Sequence, residues 1–180
     1  MQITNLFTLA LGATLVAAAP VAQENEVTKR SSDPTFIKDM LTYHNFFRKQ
    51  HGAKDLVWDQ KLADFGQSDS DKCAQKHSNG PYGENKAWGT ALDTKTAVNM
   101  WGSERTKFNF NNGGFSMATG HFTQVVWKET TTVGCGLTKC GGSIGNLITC
   151  EYEAFGNMEG AYRKQVGAII APAKLTDKIA

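Results

Sequence analysis

Two imidazoles and two carboxylates, His77, Glu84, Glu104 and His121, sit where loops meet predicted elements. Glu84 lies in the stretch YGEN shortly after His77, and Glu104 follows Trp101 in MWGSE. Histidine suits Zn2+ and glutamate suits Zn2+ or a harder cation such as Mg2+, so these residue types can build a divalent-metal site. The same groups can run general acid–base chemistry. Each histidine taken singly has a simpler reading, as a structural residue with its hydrogen bonds met. The four lie in separate segments, and the chain contains neither H-E-x-x-H nor a nucleophile elbow, so no local motif selects a hydrolase.

A second unusual stretch is KFNFNNGGFSMATG, residues 107–120. Its composition predicts an irregular loop, yet it carries Phe108, Phe110 and Phe115. Phenylalanines in an Asn/Gly loop have two readings. They plug the core, or they form an apolar flap that closes on a lipid or partner.

The elements that must position these residues are legible in part. Asp33-Pro34 caps a helix whose apolar positions Phe36, Ile37, Met40, Leu41, Tyr43, His44 and Phe47 recur at helical spacing through His51, before Gly52 stops it. Leu56-Val57-Trp58 reads as a short buried connector. Asp59 to Lys76 reads as a second helix, and a third starts at Asp93 or Thr94 and carries Trp101 and Glu104. The stretch HSNGPYGENKAWG, residues 77–89, is dense in turn formers and reads as irregular. Residues 131–155 alternate weakly around Gly-Gly-Ser-Ile-Gly, which predicts a hairpin. Helices followed by a late hairpin imply an α+β domain.

Length and charge bound the function. At 180 residues the chain suits one domain, and a net charge of +2 without a Lys/Arg run argues against nucleic acid and against an electrostatic membrane patch. Residues 1–19 are apolar, uncharged and end in small residues, so they read as a cleaved signal peptide. Residues 20–30 are polar and end in Lys29-Arg30, which reads as a dibasic site closing a pro-segment. A single domain over 31–170 and a flexible tail over 171–180 complete the expected organisation. No segment after the signal has the length to insert stably in a bilayer. Cys73, Cys135, Cys140 and Cys150 form an even set behind an export signal, which predicts two disulfides with three connectivities open.

Two long motifs add a resemblance. Gly120-His121-Phe122-Thr123-Gln124-Val125-Val126-Trp127, followed by Thr130, is similar to the first signature of the CAP superfamily: cysteine-rich secretory proteins, antigen 5 and plant pathogenesis-related class-one proteins. Leu147 to Met158 resembles the second signature, departing at Glu151, where the family carries Asn, Gln, Arg, His or Ser. HSNGPYGEN and MWGSE resemble the family's two glutamate-bearing segments, and the match runs from about Pro34 to Gly167. The resemblance implies an α–β–α sandwich with a small antiparallel sheet between helical layers. It implies that His77, Glu84, Glu104 and His121 converge in a central cleft able to take a divalent metal (Zn or Mg) that the fold does not require. It also implies that Thr123 to Trp127, strand-like by propensity, belongs to a short helical turn. The disulfides it implies are Cys73–Cys135 and Cys140–Cys150.

GFSMATGHFTQVVWK looks most like secreted fungal members, in which the loop before His121 is associated with sterols. The implied sterol-binding loop comprises Phe108, Phe110, Asn111, Gly113, Gly114 and Phe115. Fatty acids are a second implied class, with the apolar face of residues 36–47 as a candidate wall. The resulting expectation is a secreted, non-enzymatic carrier of sterols and related small hydrophobic compounds. The alternatives are a metal-dependent hydrolase in which Glu84 or Glu104 activates water, and a secreted factor acting in host interaction or defence.

Overall fold

The computed structural model describes residues 30–180. The expected signal peptide (1–19) and all but the last residue of the pro-segment (20–30) lie outside them. Helix α1 spans Pro34–Gln50, and Asp33 caps it by accepting from the amides of Thr35 (2.7 Å) and Phe36 (3.2 Å). Its end is set by Gly52, whose φ of +67° lies in the left-handed region that glycine adopts without a steric penalty. Strand β1 (Val57–Trp58) follows, then α2 (Gln60–Ser70), β2 (Gly83–Gly89), α3 (Thr94–Ser103), a 3-10 turn (Glu104–Lys107), α4 (Gly120–Val125), β3 (Thr132–Gly141), β4 (Gly145–Glu153) and α5 (Tyr162–Gln165).

The four strands form one sheet in the order β1-β3-β4-β2. Strands β3 and β4 form the expected hairpin and β2 pairs antiparallel with β4, but β1 runs parallel to β3, so the sheet is mixed rather than purely antiparallel. Side chains alternate between its faces. Val133, Cys135, Ile148, Cys150, Tyr152 and Ala87 face the core shared with α1, α3 and α4. Gly134, Gly136, Thr149 and Glu151 face α2. Helices therefore cover both faces, and the α–β–α sandwich stands.

Helix α2 comes very close to β3 because two glycines let it. A Cβ on Gly134 would fall 2.1 Å from the Ala63 amide nitrogen, and one on Gly136 would fall 2.2 Å from Gln67 Cα. Both obstacles are backbone, so neither can rotate away. Gly136→Ala is expected to cost about 1–3 kcal/mol by overpacking, measured as a lowered denaturation midpoint in urea.

Five sequence expectations change. Residues 83–89 are not irregular but form the outer strand β2. Its Gly-Glu-Asn-Lys sequence has little strand propensity, and pairing along β4 overrides that local preference. Helix α2 stops at Ser70 rather than Lys76, and Cys73 then takes a left-handed φ of 51°. Val57, read as buried, is 65% exposed.

The disulfides are Cys73–Cys140 and Cys135–Cys150, not the pairing that the resemblance implied. Cys135 sits opposite Cys150 in the hairpin register, with Cα atoms 4.1 Å apart, on the face away from α2. Cys73, just beyond α2, meets Cys140 at the far end of β3 instead. In the chain-entropy account the two closures, 67 and 15 residues apart in sequence, contribute about 4 and about 3 kcal/mol.

The segment 171–180, expected to be loose, is tied down. The Arg105 guanidinium, wholly buried, donates to the carbonyls of Leu175 (2.9 Å), Lys174 (3.0 Å) and Asp177 (2.6 Å). Asn99 exchanges two hydrogen bonds with the backbone of Ile179. A buried guanidinium needs its donors met, and these carbonyls meet them.

Candidate functional site

The site is a cleft of about 1120 Å³ at the outer edge of the sheet. Its floor includes Lys86, Ala87 and Trp88 of β2, the last strand in the sheet order. Because β2 has no neighbour beyond it, groups from both sides of the sheet reach the same hollow. His77 arrives from the loop after α2, and His121 arrives on the first turn of α4.

Each histidine is held by one of the expected glutamates. His121 donates its Nδ1–H to Glu104 Oε1 at 2.7 Å, and Glu104 Oε2 accepts the backbone amides of His121 (3.0 Å) and Phe122 (3.1 Å). Glu104 therefore orients the ring and meets free amides at the start of α4 at once. The other pair is His77 Nδ1 with Glu84, whose carboxylate also accepts the Ser78 amide. In both pairs the carboxylate holds the Nδ1–H tautomer, leaving Nε2 with a lone pair. The His121 ring lies almost parallel to Trp101, with centroids 6.4 Å apart, and Trp101 donates Nε1–H to the Lys86 carbonyl at the sheet edge.

Of the four predicted residues, His77, Glu104 and His121 line the cleft, while Glu84 stands behind His77 with its side chain only 6% exposed. The expectation of four converging ligands is changed in one respect: both carboxylates are spent on the Nδ1 side of their rings. Among the described residues no group of three or more His, Cys, Asp or Glu stands close enough to hold a metal ion. The two imidazoles carry the carboxylate backing that metal-ligating histidines use.

The phenylalanine loop divides. Phe108 and Phe110 pack edge-to-face on each other and on Phe122, Phe110 stacks on His51, and Phe108 also contacts Tyr162, so these two plug the core. Gly113 permits this, since a Cβ there would fall 2.2 Å from the Phe108 ring. Phe115 is exposed, as are Asn111 and, at 80%, Met117, which lines the cleft. The loop therefore touches the cleft through Met117 rather than through the two inner rings. The face of residues 36–47 is used against the core, with Met40 and Phe47 fully buried.

Several residues that build the site carried no local signal. Asn85 donates to the His121 carbonyl (3.1 Å) and to the Tyr152 hydroxyl, and that hydroxyl donates to His44 Nε2 (2.9 Å). This chain links α1 to the backbone of the cleft histidine. Burial pushes His44 down to about 4, so the ring is neutral and accepts at Nε2 while Nδ1–H donates to Met40 O. Beneath the cleft Lys86 forms a buried ion pair with Asp69 and donates to the Lys76 carbonyl. Arg105 could have been noticed only for directly following Glu104.

Comparison with known proteins agrees with this architecture. The family model described as "Cysteine-rich secretory protein family" (CAP) matches residues 41–152. Protein PRY2 of Saccharomyces cerevisiae is 44% identical over 136 residues, covering 73% of this chain, which spans only 41% of the yeast protein's length. Pathogenesis-related protein 1 of Arabidopsis thaliana is 38% identical over 125 residues, covering 67% of this chain and 77% of its own. The crystal structure of hookworm platelet inhibitor shares the fold, with a TM-score of 0.65 at 20% identity over 76% of this chain and 78% of that one. The chain belongs to the cysteine-rich secretory protein (CAP) family.

Proposed function

We propose that this protein is a secreted carrier that holds sterols and related small hydrophobic compounds, with the cleft as its binding site. The observation that carries the reading is the cleft's lining. Trp88, Met100 and Met117 are 42%, 50% and 80% exposed, and all three face the hollow that holds His77 and His121. Exposed apolar side chains gathered on one hollow mark a binding surface, and an apolar wall with a few convergent polar groups is the usual form of a small-molecule site. A sterol has that chemistry: an apolar body and one hydroxyl, which an imidazole Nε2 can accept. Secretion is supported by the disulfides, since all four cysteines are paired and such bonds persist in oxidising compartments. Among the described residues no helix is long and apolar enough to cross a membrane.

The test is equilibrium binding of labelled cholesterol and labelled palmitate to the purified protein, with and without chelator. Saturable cholesterol binding is expected, weakened about tenfold by Trp88→Ala combined with Met117→Ala. A Phe115→Ala variant reports separately on the loop. Cholesterol binding unaffected by the Trp88/Met117 pair would remove the cleft as the site. A chelator effect confined to the wild type and lost in His77→Ala would support a metal on the imidazoles.

A further inference from the structure

The cleft has a wall that no sequence motif announces. Leu175, Thr176, Asp177 and Lys178 line it together with the edge strand. Backbone carbonyls anchor this segment, and the Asp177 carboxylate closes it locally by accepting the Lys174 amide at 2.8 Å. All the donors of Arg105 are engaged: Nε on Leu175 O, Nη2 on Lys174 O and Asp177 O, and Nη1 on Gln50 Oε1 and His51 Nε2. The guanidinium also lies over the Phe47 ring, 4.9 Å from its centroid. Beyond it, Ile179 is pinned by Asn99 and packs on the core. Because carbonyls do the anchoring, the side chains of Leu175 and Lys178 remain free to face a ligand.

The chemistry of that wall is specific. Leu175 lines the cleft together with Met100 and Trp88. Lys178 and Lys107 are exposed on the same cleft, and neither has an ion-pair partner among the described residues. Resting on the reading of the cleft as a binding site, we propose that the segment Lys174–Lys178 is its specificity-determining wall. Leu175 packs on the apolar body of the ligand, and Lys178 selects for an anionic head. Among the related small hydrophobic compounds that the cleft takes beside sterols, anionic amphiphiles are then held more tightly than uncharged ones of the same apolar bulk. Arg105 supplies rigidity: the residue before it, Glu104, orients His121, so one 3-10 turn fixes both the imidazole and this wall.

Two dyes of matched apolar bulk test this: anilinonaphthalene sulfonate, which is anionic, and phenylnaphthylamine, which is uncharged. Fluorescence titration of the wild-type protein should show tighter binding of the sulfonate. Lys178→Glu is expected to weaken the sulfonate about tenfold and leave the uncharged dye unchanged. Leu175→Trp, which fills the cleft without touching the anchoring carbonyls, is expected to weaken both dyes by about the same factor. Circular dichroism melts of each variant confirm that the fold is kept. If both variants bind both dyes like the wild type while Trp88→Ala binds them weakly, the cleft is a binding site and the wall assignment is wrong. If Trp88→Ala is also without effect, the cleft reading fails and takes the wall assignment with it.

Discussion

Glu151→Gln is expected to stabilise the protein above pH 6.5 and to abolish its alkaline loss of stability. Glu151 is fully buried on the α2 face of β4; neither carboxyl oxygen accepts from a donor among the described residues, and only the protonated acid can hydrogen-bond, by donating to the Glu84 carboxylate. Burial pushes its carboxyl up to about 9; the neighbouring Glu84 and Asp69 push the same way, and Lys86 opposes them. In the unfolded chain the group ionises near its ordinary 4.5, so between about 4.5 and 9 the folded state holds a proton that the unfolded state has released. Its contribution is therefore complete below 4.5 and is lost as pH rises, at about 1.4 kcal/mol per pH unit. Glutamine keeps the shape and removes the titration. By pH 8 the variant should exceed the wild type by on the order of 3 kcal/mol, allowing for the amide's own unmet hydrogen bonds.

Two buried histidines set the acid side of the same profile. His44 and His51 are each held down to about 4, by burial first, against an unfolded value of 6.5. Their contribution is complete above 6.5 and is lost as pH falls through 4. Below 6.5 these two groups outweigh Glu151; above it Glu151 acts against stability without them. Wild-type stability should peak near pH 6.5, whereas the Gln variant should rise to a plateau. Urea unfolding at half-unit steps from pH 4 to 9 checks both curves, and parallel profiles for the two proteins would refute the assignment.

The second large effect is expected at Arg48. Its side chain is fully buried and donates to four carbonyls: Lys54 (2.6 Å), Val125 and Trp127 (both 2.9 Å) and Thr130 (2.8 Å). Three of these lie at the last residue of α4, the helix that carries His121, and in the turn that follows it. Arg48→Met fills similar space but strands the Lys54, Val125 and Thr130 carbonyls without water, while the Trp127 carbonyl keeps the Thr130 amide at 3.2 Å; each buried unmet group costs about 1–3 kcal/mol. A loss of about 3–5 kcal/mol is expected, against a total stability of about 5–15 kcal/mol for a domain of this size. The variant should show a collapsed urea midpoint and a reduced yield of folded protein. Arg48→Lys should recover only part of the loss, because an ammonium cannot reproduce the planar fork that spans these carbonyls. A Met variant with an unchanged midpoint would show that the carbonyls find other partners.

These two residues also mark the boundary between what could and could not be read along the chain. The helix starts were legible because they are local events: Asp33, Asp59 and Asp93 each accept an amide two or three residues ahead, and the apolar spacing behind them is periodic. The hairpin and both signatures were legible for the same reason, and with them came the His–Glu residues and the sandwich. The cleft's two halves were nameable as residue types, but not their division of labour, because which carboxylate backs which ring is a fact of distance.

The remainder depended on partners remote in sequence. Strand β2 has the composition of a loop and becomes a strand only because β4 lies beside it. The cysteine pairing followed from the two-residue alternation of β3, which puts Cys135 on one face and Cys140 toward α2, an alternation that resemblance to relatives could not supply. Phe108 and Phe110 chose the core because Phe122 and His51 were there to receive them. The segment after Ile170 has no periodicity, yet it is ordered as a cleft wall by one buried guanidinium some seventy residues earlier in the chain. Short-range capping and periodicity are written in neighbouring residues and so were determined by the sequence alone. Burial, pairing and the satisfaction of buried charge depend on which distant groups arrive together, and only the tertiary structure decided them.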